Sequence, residues 1–535
     1  MRASDFAGTG ILFRLFLRRD RFLLPLWTFL PVLLVWVTAA TFTALAGQGL
    51  DLVLAEFNQD ALISALLGPV MSFDLAGAIV WRGVSQLALA LGIGSLLTVI
   101  RHTRTDEETG RSELIRAGMV GRYAGLTAVL LLTGMGNLAA GVLIALSIMA
   151  LGGAVGGSLL FGATMSTIGC FFAGIGALGV QLKESSGTAR GIGAAALGLG
   201  LVLAVLNNFG GGDTIIRWFT PMAWQRLTQP FAANHGWSLL YCVVFAAVPV
   251  ILAYGLSVRR DLGAGVFMAR SGPIEAAPRF SSPLALAWRL QKGIFTGWLA
   301  GTLLYIAVFA AISPGLSIAG GMSDWLSGLG GTSWSDEAGL GYVFIGVSIY
   351  LISLFVAAYA MTAVLRLKKE ENEGRVEMLL DKRVSRMGLM SSHVIVAALC
   401  SAALLLVMGI AGGLIYGLAA GDVSNKFWPV LAMCVAKIPP VWILLGVAAL
   451  LYGLWPRITA LGWVVWLSFA ILEFAWEAQI IDWSAMAFSP FAYAHYTIDI
   501  ANLPLLPLVW LLCFSAALTG IGLFGFRNRD VFTKA

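Results

Sequence analysis

The chain has 535 residues, 59% of them apolar and only 12% charged, with a formal net charge of +6 and a mean hydropathy of +0.86. Soluble domains carry about 25% charged residues, so a string of soluble domains is excluded. Apolar runs of about 18 residues or more recur, each long enough to cross a hydrocarbon core of roughly 30 Å as a helix.

From the N-terminus, Arg14, Arg18 and Arg21 fall on one helical face and Ile11, Leu12, Leu15 and Phe16 on the other. This pattern suits a helix lying in the membrane interface. No small-residue cleavage site follows its apolar run, so no removable signal peptide is read. Six spans are predicted near 22–45, 76–101, 123–150, 157–183, 189–207 and 237–258. Residues 259–282, with Gly, Pro and Ser, read as a linker between a first half (1–258) and a second (283–535). Ser282-Pro283 is a helix start with Pro in the first position, and Trp288, Arg289 and Lys292 follow in a second amphipathic opener. Six further spans are predicted near 294–315, 340–366, 387–418, 428–454, 458–477 and 505–526. The expected fold is an all-α integral membrane protein with about twelve transmembrane helices.

Charge sets the expected orientation. Of 34 Lys and Arg, only Arg217, Arg226 and Lys426 fall on loops assigned to the outside, and Arg82 and Lys437 fall within spans. The positive-inside rule then puts both termini in the cytoplasm of a cell whose plasma (inner) membrane the chain crosses many times. The net charge reflects topology and gives no reason to expect nucleic acid as a partner.

One charged block occurs twice, almost half the chain apart. Glu107-Glu108-Thr-Gly110-Arg111-Ser-Glu113 runs on to Val120-Gly-Arg122, and Glu371-Asn-Glu-Gly374-Arg375-Val-Glu377 runs on to Val384-Ser-Arg386. Thr220-Pro221-Met-Ala-Trp224 likewise matches Ser489-Pro490-Phe-Ala-Tyr493, and Arg260-Asp261 matches Arg529-Asp530. Both halves start and end on the same side, so the expected repeat is a tandem parallel 6+6 with a pseudo-two-fold axis along the membrane normal. Thr105 with Glu108 reads as a capping box. Glu107–Arg111 and Glu371–Arg375 read as i,i+4 ion pairs, and the glycine before each Arg reads as a bend. A solvated loop has no reason to keep the same order of both charge signs, so the blocks read as two docking surfaces for a partner present in two copies.

The run Arg104-Thr-Asp-Glu-Glu-Thr-Gly-Arg-Ser-Glu-Leu-Ile-Arg-Ala-Gly resembles the membrane subunits of ABC-2 type exporters. The group it resembles is the polyketide-antibiotic (tetronasin-type) and related multidrug efflux permeases, which fuse two six-helix halves. The resemblance implies that the two blocks are coupling helices seated in two copies of a separate ABC ATPase, with ATP and Mg on that partner and no cofactor in this chain. It also implies connecting helices at 5–21 and 283–293 and short, partly re-entrant helices at 213–236 and 480–503. Hydrophobic or amphipathic drug-like substrates are implied as well. The second block departs from the pattern at Asp381-Lys382-Arg383, so the two docking sites need not be equal.

Ionisable groups inside spans are candidates for a substrate pathway or gate. Arg82 is expected roughly 9 Å below the outer surface and Glu473 about 24 Å above the inner face, similar depths that allow a meeting between halves. Glu477 shares a helical face with Glu473, beside Trp476, and Gln86 lies one turn from Arg82. Lys437 precedes Pro439-Pro440, which break a helix and free carbonyls that Lys437 can cap, unless it faces a cavity. Gln86, Asn137, Gln181 and Asn207 are equally suited to helix packing.

There is no G-x-x-x-x-G-K-[ST], H-E-x-x-H or G-x-S-x-G. Gly210-Gly-Gly212-Asp213 matches a GxGD protease element only formally, since no second Asp accompanies it. The five cysteines, Cys170, Cys242, Cys400, Cys434 and Cys513, lie in apolar segments without CxxC spacing, and the four His have no metal-ligand spacing. The chief alternative, an ion-driven twelve-helix secondary transporter, predicts a carboxylate near the midplane, and Glu473 sits above it.

Overall fold

The computed structural model describes residues 3–45, 49–59, 64, 67–116, 118, 120–258, 265–267, 282–315, 337–381, 384–477, 481–495 and 505–530. Their regular elements are all helices. Eleven are long and apolar enough to cross a membrane, and Leu461–Glu473 is a shorter apolar helix. The chain is an all-α, multi-pass membrane protein. It divides into two compact units, Met1–Gly272 and Pro273–Ala535.

In the first unit α1 (Thr9–Arg19) leads into α2 (Leu23–Leu45), and α3 (Leu50–Gln59) follows. α4 (Leu75–Ile100) starts at Asp74, whose carboxylate accepts from the Gly77 amide at 2.7 Å and so satisfies a donor left free at a helix start. The helix continues through a π-helical turn, Arg101–Thr105, to Glu108. The expected capping box at Thr105 therefore does not form: Thr105 is helical and makes no cap hydrogen bond, because no helix begins there. α5 (Arg111–Arg116) is short, and α6 (Ala124–Ala150), α7 (Val155–Leu182), α8 (Ser186–Phe209) and α9 (Trp237–Ser257) complete the unit. α7 is central, packed on α4, α6, α8 and α9, with Phe161, Met165, Ile168 and Phe172 fully buried.

In the second unit α10 (Pro283–Ile312) joins the expected opener and first span into one helix. The first unit separates the two with a turn at Asp20, whereas α10 runs through Lys292-Gly-Ile-Phe-Thr without a break. α11 (Glu337–Asn372), α12 (Arg375–Leu380), α13 (Arg386–Ala419), α14 (Val423–Ala436), α15 (Ile438–Leu454), α16 (Leu461–Glu477) and α17 (Leu505–Asn528) follow. α15 packs on α11, α13 and α17. A Cβ on Gly453 would lie 2.0 Å from the Gly522 carbonyl oxygen, so α15 and α17 touch backbone to backbone. The neighbours correspond between units: α4–α7, α6–α7 and α7–α9 in the first, α11–α15, α13–α14 and α15–α17 in the second.

Candidate functional site

Each charged block ends a long helix and starts a short one. Gly110 (φ 71) and Gly374 (φ 74) adopt the left-handed conformation that glycine tolerates at a helix end. The Gly110 amide donates to the Glu107 carbonyl at 3.1 Å and the Gly374 amide to the Glu371 carbonyl at 3.0 Å. Beyond the glycines, α5 exposes Arg111, Glu113 and Leu114, and α12 exposes Arg375, Glu377 and Met378. Leu114 is 79% exposed and Met378 71%, each beside an exposed glutamate. Val376 is fully buried and anchors α12.

Glu107 and Glu371 are held by partners on the protein side while Glu108 and Glu373 stay exposed, and both expected i,i+4 pairs are replaced. Glu107 pairs with Arg104, not Arg111, and Arg104 also donates to the Glu184 carbonyl at 2.8 Å. Glu108 accepts from the Ser186 amide and hydroxyl, both at 2.6 Å. Arg111 instead lies 3.9 Å from Asp106, which holds Arg19 at 2.6 Å. In the second block Glu371 binds Arg529 at 2.8 Å and the Tyr452 hydroxyl at 2.7 Å. Arg375 pairs with Glu370 and Glu373. Its hydrogen bond to Glu370 holds the guanidinium above its ordinary pKa. Glu107 takes a partner one turn back on its own helix, whereas the buried Glu371 takes its partners from neighbouring helices.

Arg122 and Arg386, at the ends of the two repeated blocks, have the same backbone role. Arg122 donates to the Ser257 and Val258 carbonyls at 3.0 and 2.8 Å, and Arg386 to the Arg529 carbonyl at 2.6 Å. Each guanidinium satisfies carbonyls at a helix C-terminus, that of α9 for Arg122 and that of α17 for Arg386.

A second cluster lies in the second unit. Lys437 stands between α14 and α15, with Pro439 and Pro440 in the first turn of α15, where a missing N–H costs least. Its ammonium does not cap carbonyls freed by those prolines. It donates to the Ala494 carbonyl and lies 4.4 Å from the Tyr350 ring centroid. Glu473 Oε1 accepts from His495 Nε2 at 2.9 Å, and Oε2 has no hydrogen-bond partner among the described residues. The His495 ring packs edge-on against Trp476, Trp483 and Tyr350, with centroids 4.8, 5.0 and 5.1 Å away. Lys437, Glu473 and His495 are each 2% exposed. Together they grip the Pro490–Ala494 turn by its backbone and by the ring that follows it.

The sequence is 35% identical over 538 residues to the "Multidrug efflux system permease protein Rv1217c" of Mycobacterium tuberculosis (strain ATCC 25618 / H37Rv), covering 99% of this chain and 96% of the relative. The chain belongs to the multidrug efflux system permease family. Residues 280–527 also match the model "Multidrug efflux system permease Rv1217c, C-terminal domain", which spans nearly all of the second unit.

Other predicted residues of the permease are dispersed. Arg82 and Gln86 lie one turn apart on an exposed face of α4. Glu473 and Trp476 join the cluster with Lys437, while the Glu477 side chain and residues Lys382 and Arg383 lie outside the described residues. Asn137 is a packing residue, donating to Ser95 Oγ at 2.8 Å, and Asn207 donates to the Gly212 carbonyl at 3.0 Å. Sequence reasoning missed Asp20, His102, Asp106, Ser186, Tyr452 and His495, and it did not see Arg529 as the partner of Glu371. Most of these bonds join residues about 80 or more positions apart, a separation that no local motif reveals.

Proposed function

We propose that the permease is the membrane subunit of an ATP-driven ABC-2 type exporter, built as a parallel 6+6 repeat with both termini cytoplasmic. Two copies of a separate ABC ATPase, carrying ATP and Mg, dock on α5 and α12. ATP binding draws them together, and the buried pairs behind each glycine carry that motion into the spans. The cargo is hydrophobic or amphipathic and drug-like, in keeping with the "multidrug efflux" name of the relative. Arg82, Gln86 and the Lys437 cluster, with Glu477, belong to the pathway or its gate.

The observation that carries this reading is the paired geometry at Gly110 and Gly374: two short helices that expose Arg, Glu and a large apolar residue while Glu107 and Glu371 are held by ion pairs behind them. Such a surface favours a protein partner, because a solvated loop gains nothing from exposing Leu114 or Met378.

The buried Lys437–Glu473–His495 cluster is the observation that favours the ion-driven alternative. Reconstitution of the chain in vesicles, with and without a co-expressed ABC ATPase, separates the two. Export that requires ATP and a bound ATPase, at one permease to two ATPase chains, supports the first. Export by the chain alone on a proton gradient overturns it.

A further inference from the structure

α1 carries three rows of side chains. Leu12, Phe16 and Asp20 are buried against the unit. Ile11 (75% exposed), Leu15 (46%) and Phe22 (74%) form an apolar flank. Arg14, Arg18 and Arg21 are exposed and lie outside every ion pair found among the described residues. Within α1, at 100° per residue, Arg14 and Arg18 sit opposite Leu12 and Phe16 with Ile11 and Leu15 alongside, while Asp20, Arg21 and Phe22 follow in the turn before α2. α2 begins at Leu23, so the basic row lies at the mouth of a membrane span.

α1 is also clamped to both ends of the first charged block. Its C-terminal end holds the residues before the block: Arg19 pairs with Asp106 at 2.6 Å, and Asp20 with Arg101 at 2.8 Å and His102 at 2.7 Å. The His102 ring packs on Phe16, with centroids 4.4 Å apart. The segment leading into α1 holds the residues after the block: the Gly121 amide donates to the Ala7 carbonyl at 2.8 Å and the Tyr123 amide to the Asp5 carbonyl at 2.9 Å. A Cβ on Gly121 would lie 2.3 Å from the Asp5 carbonyl oxygen, so the contact is backbone to backbone.

We propose that α1 is a receptor for anionic phospholipid, and that headgroups bound along Arg14, Arg18 and Arg21 set the position of residues 107–120. Charge complementarity selects the occupant. The apolar flank favours lipid over a soluble protein, because Ile11, Leu15 and Phe22 then face acyl chains rather than water. The clamp gives the lipid a mechanical route to the block, since α1 and the block's two ends move as one body.

The test uses the full chain purified in neutral detergent, with phosphatidylglycerol or phosphatidylcholine titrated in and retention read by native mass spectrometry. Phosphatidylglycerol is expected to be retained selectively, and retention to fall about fivefold per arginine, roughly a hundredfold in R14Q/R18Q/R21Q. The selectivity should fade in high salt. Amide hydrogen exchange in residues 107–116 should slow when phosphatidylglycerol binds. D20N should keep the lipid and lose that slowing; if D20N does not fold, R19Q opens the clamp at a more exposed side chain. Equal retention of the two lipids, undiminished retention in the triple variant, or lipid bound with no change in exchange each overturns the proposal. So does a triple variant that instead loses an ATPase partner in lipid-free detergent, which makes the row a protein contact. These lipid readouts need no ATPase, so the proposal stands or falls apart from the energy source of export.

Discussion

Glu108 caps the helix that begins at Ser186: its carboxylate accepts from the Ser186 amide and hydroxyl, both at 2.6 Å. A carboxylate at a helix N-terminus is favoured by the free amides and the macrodipole. The contact fastens the first block to the fifth span, α8. Glu108→Ala should lower stability by about 1 kcal/mol, seen as a small drop in thermal midpoint, and should raise amide exchange in the first turn of α8. A variant with unchanged exchange there would show that Glu108 does not hold the helix.

The second block predicts a contrast between Glu371 and Arg375. Glu371 is buried with Arg529 and Tyr452, so Glu371→Ala should cost about 3–5 kcal/mol by leaving Arg529 unpaired. Arg375 is half-exposed, and Arg375→Gln should cost about 1 kcal/mol or less. A double-mutant cycle should find coupling between Glu371 and Arg529 and none between Glu371 and Arg375. The reverse result would restore the i,i+4 pairing in place of the observed partners.

Arg122 and Arg386 should behave alike despite their separation in sequence. Each satisfies carbonyls at a helix C-terminus, so Arg→Gln at either site should cost about 0.5–1 kcal/mol. Amide exchange should rise in the last turn of α9 for Arg122→Gln and of α17 for Arg386→Gln. Exchange that rises elsewhere, or in neither helix, would contradict the capping role.

The spans were legible because an apolar run of about twenty residues has few other fates; the boundaries that differ most are the opener of α10, the last turns of α4 and α11, which run on to Glu108 and Asn372, and the span expected at 428–454, which starts at Val423 and breaks at Lys437 into α14 and α15. The glycine bends were legible too, since Gly110 and Gly374 sit at the same place in both blocks. The partners of Glu107, Glu108 and Glu371 were not. Spacing offers Glu107 and Glu371 an arginine four residues on, but the fold pairs them with Arg104 and Arg529, and it brings Ser186 to Glu108. His495 was invisible for the same reason. A lone His in a Pro-containing turn says nothing until the fold brings Glu473 and three aromatic rings around it.

The Lys437–Glu473–His495 cluster predicts non-additivity. His495→Ala leaves Glu473 buried with neither oxygen bonded among the described residues and should cost about 3 kcal/mol or more. Glu473→Leu alone strands Lys437, whereas Lys437→Met with Glu473→Leu should cost less than the sum of the two. Strictly additive losses in thermal unfolding would show that the groups do not act as a unit.

The central claim is that α5 and α12 are the docking helices for an ATPase. Glu113 and Glu377 are exposed, so reversing them to Lys should leave folding and membrane insertion intact. The decisive measurement is substrate-stimulated ATP hydrolysis and export in the reconstituted complex of Glu113→Lys and of Glu377→Lys. The account predicts that each variant folds normally yet binds the ATPase more weakly or hydrolyses ATP without export, to unequal degrees in the two halves. Wild-type coupling in both variants would contradict it and reduce the blocks to ordinary positive-inside loops.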